Sequence, residues 1–174
     1  MIVLFDFDGV IADTETQYTE FWNRIGREYL DQEDFGHTIK GQTLVQIFEK
    51  YFGSRPKVQD EIVPQLNEFV ANMSYGYVPG VYKFMQELNA AGIRSAIVTS
   101  SNDVKMANAF KAHPELIELV DMVLTSEHFS KSKPDPECFL KGMEFLGGTP
   151  EETIVFEDSF HGIAAGRAAG AKGV

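Results

Sequence analysis

In MIVLFDFDGV, residues 1–10, five apolar residues run unbroken into Asp6, and Phe7, Asp8 and a glycine follow. A strand with one wet face would alternate apolar and polar residues, so this unbroken run reads as a strand buried on both sides. Three more short, largely apolar runs, at residues 93–98, 120–124 and 154–156, have the length and composition of such strands. Strands of this kind make a parallel sheet. Between them the apolar spacing turns helical: Val81, Phe84, Met85 and Leu88 follow Pro79-Gly80 and end at Gly92, and Phe139, Leu140, Met143 and Leu146 follow Asp135-Pro136. Asp135 is the expected N-cap and Pro136 the first helical residue. Strands alternating with helices imply right-handed crossovers, hence an α/β fold: a Rossmann-like, doubly wound parallel sheet.

Residues 15–78 break the alternation. Tyr18, Phe21, Trp22, Ile25 and Tyr29 step at helical intervals, as do Leu44, Ile47, Phe48 and Tyr51, and then Ile62, Leu66, Phe69, Val70 and Met73. The expectation is a helical domain, 15–78, inserted after the first strand of a core formed by 1–14 and 79–174. Its joins would fall at residues 13–15 and 75–79, where Gly76 and Pro79 punctuate the chain. After the small-residue helix of residues 161–169, the turn Ala169-Gly170-Ala171-Lys172-Gly173 calls for one more strand in a doubly wound sheet.

The chain has 174 residues, 15 Lys plus Arg against 26 Asp plus Glu, and a formal net charge of −11. Such a surface repels polyanions, which argues against nucleic acid or an anionic membrane as partner. A small anionic substrate must therefore meet local positive charge. The single cysteine, Cys138, excludes an intrachain disulfide and fits a reducing compartment. Five apolar residues with no basic leader do not read as a signal peptide, and no run approaches the roughly 20 apolar residues that span a bilayer. A cytoplasmic chain is expected.

Asp6, Asp8, Thr99, Lys133, Glu157 and Asp158 are scattered in sequence, yet each falls at or after the carboxyl end of an expected strand, the edge where open α/β sheets bind ligands. Two carboxylates after the first strand and two after the fourth would repel one another unless a divalent cation sat among them. Thr99 opens the polar burst Thr99-Ser100-Ser101-Asn102, where hydroxyls and free N–H groups at a helix start favour an anion, with Ser101 or Asn102 placed to serve as its N-cap. The order is carboxylate, hydroxyl, cation and acidic pair.

That order resembles the haloacid dehalogenase superfamily over the whole sheet domain: Asp6-Phe7-Asp8-Gly9-Val10 is similar to its first motif, Thr99 to its second, Lys133 before Pro134 to its third, and Glu157-Asp158-Ser159 to its fourth. The insertion after the first motif looks like the cap of the β-phosphoglucomutase and phosphoglycolate phosphatase subgroup. Asp13-Thr14-Glu15, the pair Lys40-Gly41 and the small residues Gly162, Ala165, Gly166, Ala169 and Gly170 point the same way. The resemblance implies a phosphatase of a small phosphorylated metabolite, acting as a monomer through an aspartyl phosphate. Asp6 would be the nucleophile and Asp8 the acid and base; Mg²⁺ would be held by Asp6, Asp8, Glu157 and Asp158. Thr99, Ser100, Ser101 and Lys133 would bind the phosphoryl group, and Lys40 and Gly41 the rest of the substrate.

Tyr18 and Leu44 stand where the mutase branch carries a His and an Arg, which disfavours a phosphomutase. A phosphoacceptor or interaction domain has no use for a helical insertion of about 60 residues over its acceptor, and a lapsed scaffold would be expected to lose Asp8 or Lys133. His37 and His161 match no motif.

Overall fold

Four parallel strands in the order β3-β2-β1-β4 carry the first of two compact units: β1 (Ile2–Phe5), β2 (Arg94–Val98), β3 (Met122–Leu124) and β4 (Thr153–Phe156). The structure is a computed structural model describing residues 1–174. Register is fixed by pairs such as Leu4 with Ala96 and Val155, and Val98 with Leu124. All of β1 is buried, as an unbroken apolar run requires.

Alternate residues of the strands serve opposite faces. Ile2, Leu4, Ala96, Val98, Leu124 and Val155 form one core with Cys138, Phe139 and Met143 of α7 (Glu137–Phe145) and Ala165 of α8 (Phe160–Ala168). On the other face Phe5 stacks on Phe156 and meets Phe84 of α5 (Val81–Ala90) edge to face. The sheet is thus covered on both sides, as its sequence demands. A further helix, α6 (Asp103–Ala112), lies between β2 and β3; only Lys105, Met106 and Ala109 of it are buried, too few to mark it by an apolar stripe. Asn102 caps it, accepting from the Lys105 N–H at 2.9 Å.

The start of α7 differs by one residue from expectation. Pro136 is the half-helical cap position, and the Asp135 carboxylate accepts from the Glu137 N–H at 3.0 Å. Glu137 then ties down the loop leading to Lys133: its carboxylate takes the Ser130 and Lys131 N–H groups, the Ser130 hydroxyl and the Lys141 ammonium. The Ser130 amide, then Lys141, hold its pKa down at about 2 against an ordinary 4.5. A depressed carboxyl stabilises the fold fully above pH 4.5 and loses that contribution as pH falls toward 2. Glu137→Gln should therefore lower Tm at pH 7, with the gap to wild type closing near pH 2; a gap constant across a Tm-against-pH series would refute the anchor.

The second unit is Thr14–Ser74, so Tyr75–Val78 group with the sheet; there Tyr77 bridges Ala12, and the Val78 N–H reaches the Ile11 carbonyl at 2.9 Å. Four helices build it: α1 (Glu15–Leu30), α2 (Phe35–Thr38), α3 (Leu44–Phe52) and α4 (Pro56–Asn72). Phe21, Trp22, Ile25, Phe35, Ile47, Phe52 and Ile62 form its core. The short α2, one turn with no period to detect, lies against α1 at Gly26, where any side chain would strike Phe35. Thr43 and Gln46 cap α3 reciprocally. No helix of either unit is long and apolar enough to cross a membrane.

Candidate active site

The carboxyl edge of the sheet collects the chemistry. The Asp6 N–H extends the β1–β4 ladder to the Phe156 carbonyl at 2.9 Å, and the Thr99 N–H extends β2–β3 to the Leu124 carbonyl at 2.9 Å. Register therefore sets Glu157 level with Asp6 and brings Thr99 out one residue further along, at the same edge of three adjacent strands. Lys133 arrives on the loop after β3 and closes the group. Its ammonium donates to Asp6 Oδ1 at 2.9 Å, Glu157 Oε1 at 2.7 Å and the Val98 carbonyl at 3.3 Å, and lies 4.8 Å from the centre of the Phe139 ring.

This lysine is buried, at 3% exposure. Burial works against its charge, but the carboxylates of Asp6 and Glu157 outweigh that and hold its pKa above the usual lysine value. One ammonium cannot neutralise two buried carboxylates. Burial, with Glu157 and Asp8 adding repulsion beyond what Lys133 relieves, lifts Asp6 from 3.8 to about 7. Carboxylate oxygens of Asp6, Glu157 and Asp158 lie within 4.8 Å of one another, a set of hard oxygen donors of the kind Mg²⁺ selects.

Glu157 is held firmly. While Oε1 takes Lys133, Oε2 takes the Ser159 N–H at 2.7 Å and its hydroxyl at 2.9 Å. Ser159 also caps α8 through the Gly162 N–H. A Cβ at position 162 would fall on the Glu157 carboxyl, so only glycine lets α8 begin this close to the acidic pair.

Asp8 faces a different set of groups. Ser101 donates its hydroxyl to Asp8 Oδ2 at 2.7 Å, and Lys105 pairs with Oδ1. Ser101, expected among the phosphoryl-binding groups, thus has its hydroxyl on Asp8 and its N–H on Thr99 Oγ1 at 3.0 Å. Thr99 is 1% exposed, and Ser100 next to it is half-buried. Nothing in the sequence marks Lys105, since a lysine in the first turn of a polar helix looks solvated and its spacing does not signal burial. Lys40 and Gly41 belong to the helical unit, where Lys40 pairs with Glu15 at 3.0 Å.

Comparison with known proteins gives these groups a family. A family model described as haloacid dehalogenase-like hydrolase matches residues 3–174. The phosphorylated carbohydrates phosphatase of Thermotoga maritima is 27% identical over 180 residues, covering 97% of this chain and 81% of that protein. The β-phosphoglucomutase of Mycobacterium tuberculosis is 26% identical over 199 residues, covering 95% and 76%. A crystal structure of a hydrolase of the same family from Deinococcus radiodurans, with bound phosphate and sodium, is 26% identical, covers 98% of this chain and 77% of that one, and has a TM-score of 0.73. Agreement of sequence and fold along nearly the whole chain means that it belongs to the haloacid dehalogenase-like hydrolase family.

Proposed function

We propose that this protein is a Mg²⁺-dependent phosphatase of a small phosphorylated metabolite, a sugar phosphate or a short hydroxy-acid phosphate, working through an aspartyl phosphate. The observation that carries the reading is the position of Asp6, at the end of β1, bound to Lys133 and grouped with Glu157 and Asp158. An Asp6 oxygen attacks phosphorus as the bond to the leaving oxygen breaks. Asp8 gives a proton to that oxygen and later takes one from the water that displaces Asp6. Lys133, with the Thr99 hydroxyl and the Ser100 N–H, binds the phosphoryl oxygens and their developing charge. Asp6, Asp158, Glu157 and the Asp8 carbonyl would hold Mg²⁺. The bound ion supplies positive charge against the repulsion between a carboxylate and a phosphate dianion. Lys40 and Gly41 of the helical unit contribute to substrate selection.

A phosphomutase is the competing reading, and the Mycobacterium relative is named as one. Tyr18 and Leu44 speak against it here, as neither side chain can supply the charge of a His or an Arg.

The metal dependence is directly testable. EDTA should remove phosphate release, Mg²⁺ should restore it, and Ca²⁺ should restore it poorly because its larger, looser shell misplaces the nucleophile. Mg²⁺ should also raise Tm in a concentration-dependent way, since it binds the folded carboxylates alone. Full activity in excess chelator would overturn the metal assignment. A screen of phosphorylated sugars and hydroxy acids with Mg²⁺, following released phosphate, identifies the substrate.

A further inference from the structure

Each of the two aspartates that follow β1 has a buried lysine of its own. Lys133 serves Asp6; Lys105, from the first turn of α6, serves Asp8. The Lys105 side chain is 6% exposed and that of Asp8 20%, and the ammonium lies 5.9 Å from the centre of the Phe7 ring. Burying a lysine is costly, and apolar residues often stabilise such a position as well or better. An interior lysine on one carboxylate therefore points to a role beyond packing.

The geometry narrows that role. Asn102 caps α6 on the Lys105 N–H itself, at 2.9 Å, which fixes where the lysine stem starts. Ser101, immediately before the cap, donates to the other Asp8 oxygen at 2.7 Å. The two donors grip the carboxylate from both sides. Both sit at the start of α6, so that part of the fold helps to set where the Asp8 carboxylate lies.

We propose that Lys105, with Ser101, is a positioning residue that holds the Asp8 carboxyl where it can exchange a proton with the leaving group and with the attacking water. The inference rests on the phosphatase reading, in which Asp8 is the acid and base. It implies a selective defect. With p-nitrophenyl phosphate the leaving group departs without a proton, so transfer of phosphoryl to Asp6 tolerates a misplaced Asp8. Breakdown of the aspartyl phosphate does not: water must lose a proton as its oxygen bonds to phosphorus and the bond to Asp6 breaks.

The test is Lys105→Met, close in volume and uncharged, assayed on p-nitrophenyl phosphate with Mg²⁺, beside Lys105→Arg and Ser101→Ala. For Lys105→Met, kcat should fall about 10-fold or more while kcat/KM, which reports the first transfer, stays within about 2-fold; KM therefore falls too. Phosphorylated protein should accumulate in rapidly quenched samples. Lys105→Arg should restore most of kcat, and Ser101→Ala, which removes only a neutral donor, should show a smaller split of the same sign. Should the methionine variant fail to fold, the serine variant carries the test. Equal losses in kcat and kcat/KM, or no loss in either, would show Lys105 to be structural and overturn the proposal. A wild-type protein that releases no phosphate from any phosphorylated metabolite overturns the phosphatase reading together with this inference, whereas an active wild type with equal losses overturns the inference alone.

Discussion

Asp6→Asn should reduce phosphate release to below about 1% of wild type, because an amide oxygen of nearly the same shape cannot act as the nucleophile. The same substitution should raise the thermal stability of the metal-free protein at pH 8. Burial and two neighbouring carboxylates lift the Asp6 pKa from 3.8 to about 7. For an acid raised in the folded state the sign is clear. Below pH 3.8 the group is protonated, folded or unfolded, and costs nothing; from there up to about 7 the unfolded chain ionises first and stability falls; above that the full deficit remains. Asparagine removes the deficit and still offers Lys133 an oxygen. The expected gain is about 10 °C in Tm at pH 8 without cation, for a deficit of a few kcal/mol, vanishing near pH 4. Paired melting and phosphate-release curves read both effects. More than about 5% residual turnover would exclude Asp6 as the covalent nucleophile; a lower Tm at pH 8 would mean that the charge of Asp6 helps to hold Lys133 in place.

Lys133→Ala should be the most destabilising single change at the site. The ammonium is the shared partner of Asp6 and Glu157, and removing it strands two carboxylates around an empty volume beside Phe139. Losing one partner of a buried ion pair costs about 3–5 kcal/mol. Urea titration at pH 7 measures that loss. Lys133→Ala, Glu157→Gln should recover part of it, because the two sites are coupled. Where the variant stays folded, kcat/KM should fall by about 10²- to 10³-fold, the usual loss for one donor to a developing oxyanion. Lys133→Arg should not rescue it. Three oxygens and an aromatic ring surround the ammonium at 3% exposure, and a planar guanidinium fits neither that volume nor the converging acceptors. An arginine variant with wild-type kinetics would show that charge alone suffices.

The parallel sheet was legible in the sequence because each strand carries a short run of consecutive apolar residues, unbroken in β1, and a sheet covered on both faces accepts such runs. The helical insertion was legible because Phe21, Trp22 and Ile25, then Leu44, Ile47 and Phe48, then Ile62, Leu66 and Phe69 each step at helical intervals with no alternating stretch among them. Asp6, Thr99, Lys133, Glu157 and Asp158 group together on sequence alone because each follows a strand, and parallel strands bring their carboxyl ends to one edge. The start of α6 was legible in the polar burst that ends at Asn102, but its body was not, since its buried face is little more than a methionine, an alanine and a lysine. Nor were the partners of the charges: sequence order says that Lys133 and Lys105 lie on connecting segments, but not that each reaches a different aspartate. Tertiary packing alone decided that assignment. Register sets Asp6 beside Glu157, the Asn102 cap sets the start of α6, and the missing side chain of Gly162 lets α8 close on Glu157; the electrostatics of the site follow from distances of about 3 Å that no spacing along the chain encodes.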